Sequence, residues 1–377
     1  MKSLRNSVLL VSLLAASGFV CVVAQQGPEK QPSETVAKPR KKDPAATPEA
    51  EEPKIPSKFT KKDSEIPAGL PTFQSNVTTV QVDVAVLDNK GRFIPKIPGG
   101  NFRILEDQVP QQLASFSTGS EAPMTVALVV EFSNLFQQYW SEGWYETLTA
   151  AYGFVETLKP EDYVAVVAYD MRSEILSDFT TDRTKTQEAM QRMRIAAFSE
   201  ANLYDALVDT ADRMSTIEGR KAIVLIASGR DTFSKLTFDK ARKGIQSAAV
   251  PIYAISILQA FRARYDQYMG SLARLDFLQA DNQMRTFAKE TGGQSYFPRF
   301  FGEYPGIYRS ITEALRNQYS LAYHPTNQAR DGKYRKIKVE LVDPKTNEPL
   351  RIVDEKSKPI KYQVIAKQGY TAPREVE

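Results

Sequence analysis

The chain has 377 residues, 42% of them apolar and 10% aromatic, which is enough for two domains with real cores and excludes a chain disordered throughout. Its 49 Lys and Arg against 45 Asp and Glu leave a formal charge of +4, too small and too evenly spread to point to nucleic acid. One histidine and one cysteine argue against histidine-ligated zinc and a disulfide framework.

Lys2 and Arg5 precede an apolar stretch from Val8 to Val23, and Val22-Val23-Ala24 gives a small-residue cleavage pattern. Residues 1–24 therefore read as a secretory signal, with a mature chain starting near Gln25 in a secreted or periplasmic setting. An uncleaved anchor is the competing reading, because the apolar stretch nearly reaches spanning length. No later stretch is apolar enough to span a bilayer, so no lasting membrane insertion is expected after cleavage. Cys21 lies inside the signal behind Gly18-Phe19-Val20, which does not suit a lipidation site, and a cleaved product would carry no thiol.

Residues 25–70 read as a linker. Gln25 to Glu65 holds seven prolines, nine Lys or Arg and eight Asp or Glu, a composition that cannot bury enough surface to offset chain entropy. Its proline content suits an extended spacer, and a stretch without a specific role is the equal alternative.

Val77 to Leu87 then alternates, with Val80, Val82, Val84 and Val86 on one side, and ends at the turn Asp88-Asn89-Lys90-Gly91. Phe102 to Asp107 and Gln112 to Phe116 supply two more short strands. From Thr125 the pattern changes. Apolar runs at Val126–Val130, Tyr163–Ala168, Ala222–Ala227 and Ile252–Ile257 suit parallel strands covered on both faces. Helical periods fall near Tyr145–Leu158, Leu203–Ile217, Phe238–Ala248 and Asn282–Thr291, which predicts a doubly wound α/β sheet. After Arg316 strands return at Tyr319–Tyr323, Tyr334–Val342, Arg351–Val353 and Lys361–Ala366. The strands on either side need each other to complete a sandwich, so residues 71–120 and 318–377 read as one β domain split by an α/β insertion over 121–317.

Several stretches in this order resemble secreted bacterial proteins with a von Willebrand factor A (VWFA)-related domain. Val82 to Gly91 and Phe102 to Asp107 look like that family's opening strands; Leu203-Tyr204-Asp205-Ala206-Leu207 and Arg220 to Ile226 look like its helix and strand around a metal site; Tyr319 to Pro325, Tyr334 to Val339 and Gly369-Tyr370 look like its close. The resemblance implies a Rossmann-like von Willebrand A domain inserted into a split all-β sandwich. It also implies binding of a partner protein at the carboxyl edge of the sheet, often through a divalent cation, which is where open α/β sheets place ligands on general grounds.

The first strand ends in Glu131-Phe132-Ser133-Asn134-Leu135, close to the metal-holding Asp-x-Ser-x-Ser of such domains. Glu131 stands for the first Asp, Ser133 matches a serine ligand, Leu135 replaces the second serine, Ala201 or Asn202 falls where the loop threonine belongs, and Ser228 replaces the acidic residue after the strand ending at Ala227. Asp231 is a rescue ligand or an exposed loop carboxylate. The expectation is a degenerate site without a cofactor; a divalent cation such as magnesium is the alternative, against the exacting oxygen geometry such ions need.

Binding is expected instead from aromatic and arginine side chains, the types that dominate hot spots. Phe136, Tyr139 and Trp140 follow the first strand, and Phe261, Arg262, Arg264, Tyr265 and Tyr268 follow Ile257 in a stretch without regular apolar period. Trp144 and Tyr145 sit at helix-like positions and read equally well as packed inward. His324 lies at a strand end with no serine elbow near it, and Ser228-Gly229-Arg230-Asp231 forms no phosphate cradle, so neither a triad nor a nucleotide site is indicated. A Glu131–Asp231 carboxylate pair carries no hydrolase motif. The sequence thus leads to a non-catalytic, adhesion-type binding module for an unidentified protein partner, with an envelope scaffold held by the Pro-rich linker, or a surface glycan binder, as alternatives.

Overall fold

The computed structural model describes residues 78–119, 122–133, 141–193, 200–353 and 356–374, without the side chains of 141–144 and 146. The signal, the linker, Leu135, Phe136, Tyr139 and Trp140 lie outside these, as does the side chain of Trp144. All described residues belong to the unit Lys54–Glu377.

Two four-stranded antiparallel sheets form a sandwich. Their strands are β1 (Val80–Asp88), β2 (Phe102–Glu106), β3 (Val109–Gln111) and β4 (Leu113–Thr118) from the first segment, and β11 (Tyr319–Tyr323), β12 (Tyr334–Leu341), β13 (Tyr362–Ala366) and β14 (Gly369–Thr371) from the second. One sheet runs β13-β1-β11-β4 and the other β14-β12-β2-β3. Each sheet therefore mixes strands from both segments, and neither segment could bury its apolar face alone. The alternation in β1 turns Val80, Val82, Val84 and Val86 into the sandwich core beside Ile104, Tyr319, Leu321 and Tyr323.

Between β4 and β11 the chain builds a six-stranded sheet in the order β10-β9-β8-β5-β6-β7, from β5 (Met124–Glu131), β6 (Tyr163–Tyr169), β7 (Ser173–Thr180), β8 (Arg220–Ala227), β9 (Ile252–Ser256) and β10 (Ser295–Tyr296). Neighbours pair in parallel except β6 and β7, which pair antiparallel at the edge. Every residue of β5 is buried. Val126, Leu128 and Val130 face a core that includes Phe154 and Ile311, whereas Ala127 and Val129 face one that includes Leu207, Ile245 and Phe287. Helices thus cover both faces, as the apolar runs predict. With its two halves meeting at β5 and β8, the strand order is that of the Rossmann type. The fold is a Rossmann-like α/β domain inserted into a split β-sandwich.

The insertion leaves and returns on neighbouring strands: Thr118 of β4 faces Tyr319 of β11, and Gly119 N donates to Gln318 O at 3.0 Å. One buried carboxylate ties the two connections. Asp162, with no exposed surface, accepts from Met124 N at 3.0 Å and Lys159 N at 2.8 Å, and pairs with Arg316 at the end of the last inserted helix. Arg220 donates to the carbonyls of Leu315 and Arg316.

Several elements differ from the sequence reading. Strand β7 and the helix Arg183–Arg192 are too polar to show an apolar run. The amphipathic helix Tyr304–Arg316, burying Tyr304, Ile307, Tyr308, Ile311 and Leu315, went unread although its period is regular. Arg351–Val353 is no strand; Val353 makes only an isolated bridge to Pro359. The stretch after Ile257 is not irregular but a helix, Gln259–Tyr265, and the helix expected at Asn282–Thr291 begins at Ser271.

Replacing Asp162 by Asn would leave Arg316 without its counter-charge and set an amide donor against backbone N–H groups. The expected loss is about 3 kcal/mol, the order found on breaking a buried ion pair. Urea unfolding should show a lower midpoint with the slope unchanged.

Candidate functional site

The carboxyl ends of β5, β6, β8 and β9 meet at one edge of the parallel sheet. Glu131 closes β5 there with its side chain 1% exposed. Its Oε2 accepts from Ser228 N and Ser228 Oγ, each at 2.7 Å, and from the Tyr169 hydroxyl at 3.4 Å; its Oε1 accepts from Ser133 Oγ at 3.0 Å. Burial pushes the Glu131 carboxyl above the usual glutamate range, while the bonds from Ser228 and Ser133 and the charge of Arg230 pull it back. Burial and the adjoining carboxylate hold the Tyr169 phenol well above its ordinary value.

The turn leaving β8 needs its glycine: Gly229 has φ +80°, and a Cβ there would come within 2.8 Å of Ala280 O. Beyond it Asp231 accepts from Tyr204 N at 3.2 Å and from Ser234 Oγ at 2.5 Å, and burial raises its pKa. Tyr204 itself is pushed up to about 12, first by burial and then by Asp231. Asp231 is therefore half-buried and engaged in holding a helix start, not simply an exposed loop carboxylate. Ala201 contributes only backbone groups: its N–H donates to Thr232 Oγ1, and its carbonyl accepts from Thr232 and Phe233. Asn202 donates its N–H to Asp170 O at 2.8 Å, and its buried Oδ1 has no partner.

A small hard cation needs about six oxygen donors in near-octahedral array. The described residues do not match that need. Both oxygens of Glu131 already accept, the hydroxyls of Ser133 and Ser228 are turned toward it, Ala201 offers a methyl group, and Asn202 Oδ1 is an uncommitted acceptor. Among the described residues, no group of three or more His, Cys, Asp or Glu converges as metal ligands.

The segment after β9 divides. Phe261 lies tilted against the Tyr265 ring with centroids 4.8 Å apart and packs toward the core through Phe277; Arg262 pairs with the buried Asp281 at 2.6 Å, where Gln259 also donates. These two side chains are drawn inward, against the expectation that they face a partner. Arg264 is exposed beside the Tyr265 ring, which is half-buried, and Tyr268 is 78% exposed. Tyr145 is exposed too. Sequence reasoning passed over Leu272, Leu275 and Leu278, which stand 81%, 62% and 49% exposed on the first turns of the helix Ser271–Thr291. Their three-residue spacing was the available signal. An ion pair of 2.8 Å between Arg230 and Asp276 ties this helix to the turn after β8, and Phe233 in that same loop is half exposed. His324 lies away from the edge, on the sandwich, 3.3 Å from Thr79 Oγ1.

No protein-family profile matches the chain, and no curated protein matches it either. Among solved structures it is similar to a von Willebrand factor type A protein from Catenulispora acidiphila at 10% identity, covering 79% of this chain and 76% of that one with a TM-score of 0.40. It is also similar to the vWF domain of the type V pili tip protein Mfa5 from Porphyromonas gingivalis, at 13% identity over 53% of this chain and 97% of that one, with a TM-score of 0.34. Proximal thread matrix protein 1 from the mussel byssus matches at 11% identity over 56% of this chain with a TM-score of 0.41, and the match spans about half of that protein's length, 51%. The inserted domain's own strand order agrees with the Rossmann-like architecture that the sequence resemblance implied.

Removing the carboxyl tests the network. Neutral Glu131 binds its proton more tightly in the folded chain than in the unfolded one. The stability this supplies is complete below the unfolded value of about pH 4.3 and is lost as pH rises through the folded value. In Glu131→Gln this dependence should vanish. Denaturant unfolding of both proteins across pH 4 to 8 should therefore show wild type losing stability relative to the variant as pH rises; a constant difference would contradict the raised pKa.

Proposed function

We propose that this chain is a non-catalytic, adhesion-type module, secreted or periplasmic, that binds a protein partner at the carboxyl edge of its α/β domain without a metal ion. The observation that carries the reading is the group Tyr268, Leu272, Leu275 and Leu278, four large apolar side chains within one short stretch, each about half or more exposed and tied to the edge by the Arg230–Asp276 pair. Exposed apolar groups gathered in this way mark interaction surfaces more often than they occur by chance. Arg264 and Phe233 add the arginine and aromatic types favoured at such contacts. The closed hydrogen bonding of Glu131 supports the metal-free part: a cation there would have to displace Ser228 and Ser133 from a buried carboxylate.

Titration calorimetry with Mg²⁺, Mn²⁺ and Ca²⁺ is expected to show no saturable heat at millimolar metal. Saturable binding that Glu131→Ala abolishes would restore a cation-dependent edge. For the partner, the immobilised protein should capture the same proteins from envelope or secreted extracts with and without a chelator, and a Leu272→Glu/Leu275→Glu variant should lose them. Capture that the chelator removes, or that the variant retains, would count against the proposal.

A further inference from the structure

A second surface lies on the sandwich, away from the leucines. Strand β13 pairs along one side with β1, Tyr362 facing Asp88 and Ala366 facing Val84, and as the outermost strand of its sheet it has no strand partner along the other among the described residues. Such an edge presents a row of backbone N–H and C=O groups to solvent, and proteins usually cover or blunt it. Here it borders hollows. One of about 320 Å³ is lined by Gln363, Val364, Ile365 and Ala366 in unbroken succession, together with Ser295 of β10. Successive strand residues point to opposite faces, so a hollow touching four in a row runs along the strand's edge and not over one face. A second hollow of about 650 Å³ continues it past Gln363 and Tyr362, and a third of about 700 Å³ reaches Lys361 and Ile360. The three follow a single strand from end to end, and the first two lie between it and the β10 side of the inserted domain.

The walls are basic. Lys90, Lys289 and Lys361 line these hollows, are exposed, and make no ion pair among the described residues. Arg285 lies over the ring of Phe297 at 3.9 Å with its charge unopposed by any described carboxylate within ion-pair distance. The acids lining the first hollow are engaged: Asp88 binds Arg92 at 2.8 Å, which keeps its pKa below the usual range despite burial, and Glu303 accepts from Arg299 N; Glu348, exposed at the far end of the third hollow, is the one acid there without an ion pair among the described residues.

A free edge supplies main-chain pairing to any extended segment, and surrounding charge selects which one. We propose that β13 receives an extended acidic segment of a partner protein as an added strand, with Lys90, Lys289, Lys361 and Arg285 binding its carboxylates. This surface is independent of the carboxyl edge and of whether that edge binds metal.

The test uses the full chain and three synthetic heptapeptides: one alternating Glu and Val, the same with Lys for Glu, and the Glu/Val peptide with alternate backbone nitrogens methylated. Binding is read by fluorescence anisotropy, and β13 is followed by amide hydrogen exchange. The Glu/Val peptide should bind, slow exchange at Tyr362–Ala366, and weaken at least about tenfold in Lys289→Glu/Lys361→Glu, whose exposed positions leave the fold intact. The Lys peptide should not bind, and the methylated one should lose binding because strand pairing is blocked while charge is kept. No binding of the Glu/Val peptide up to about 1 mM would overturn the proposal. So would equal affinity for the methylated peptide, or binding without protection of Tyr362–Ala366, either of which would reduce the site to diffuse charge attraction.

Discussion

The architecture depends on joining two sequence-distant halves of a sandwich around an insertion of some two hundred residues, and Asp162 is where that junction is fixed. Its carboxylate takes the first backbone N–H of β5, the N–H of Lys159 and the guanidinium of Arg316, and so holds the outgoing and returning chain at one buried point. A buried ion pair adds little net stability over an apolar substitute, because desolvation offsets most of the attraction. It does, however, fix geometry. β4 and β11 can pair in register only if Thr118 and Tyr319 arrive side by side, and the inserted domain must span that gap and no other. The carboxyl edge sits at the opposite end of β5, held in place by a strand whose other end is pinned.

At that edge the hydrogen-bond donors form a consistent set. Two carboxylates brought together in a buried position repel, and a cation is one way to reconcile them. Here Ser228 meets Glu131 as a double donor, through N–H and Oγ at 2.7 Å each, and Ser133 and Tyr169 donate as well. From the end of β5 the Glu131 carboxylate reaches Ser228, just past the end of the neighbouring β8. A carboxylate with donors on both oxygens satisfies its own charge and has little left to offer an ion. The same donors favour the ionised form while burial favours the neutral one; burial is the larger effect, which leaves this group poised to titrate above the normal range.

The parallel strands were legible because a strand covered on both faces carries a continuous apolar run, as Val126–Val130 of β5, Tyr163–Ala168 of β6 and Ala222–Ala227 of β8 do. The split sandwich was legible for a different reason: β1 alternates, and its apolar side needs partners that only the distal strands supply. What was missed follows the same physics. Strand β7 buries little, so its sequence carries no pattern, and the helix Arg183–Arg192 buries only Thr186, Ala189 and Met190. The positions of Glu131, Ser133 and Ser228 at the edge could be read from strand ends, but which hydrogen bonds they form could not. Phe261 and Arg262 show the limit most clearly: composition marks them as binding types, yet Phe277 and Asp281, more than a dozen residues later, decide that they point inward.

The helix Ser271–Thr291 gives the two proposed surfaces a physical relation. Its second half is an ordinary core element, burying Met284, Phe287 and Ala288, closing on Gly292 at φ +84° and held by Arg242–Glu290 and Arg262–Asp281. Its first half buries almost nothing and exposes Leu272, Leu275 and Leu278. Burying a fully exposed leucine is worth about 1.5–3 kcal/mol, and these, 49% to 81% exposed, would gain a matching share of it, less association and ordering costs. Because the helix is already formed and anchored, little of that gain goes to ordering the backbone. The anchored half carries Arg285 and Lys289 to the groove beside β13, so the two proposed surfaces would meet opposite ends of one continuous helix.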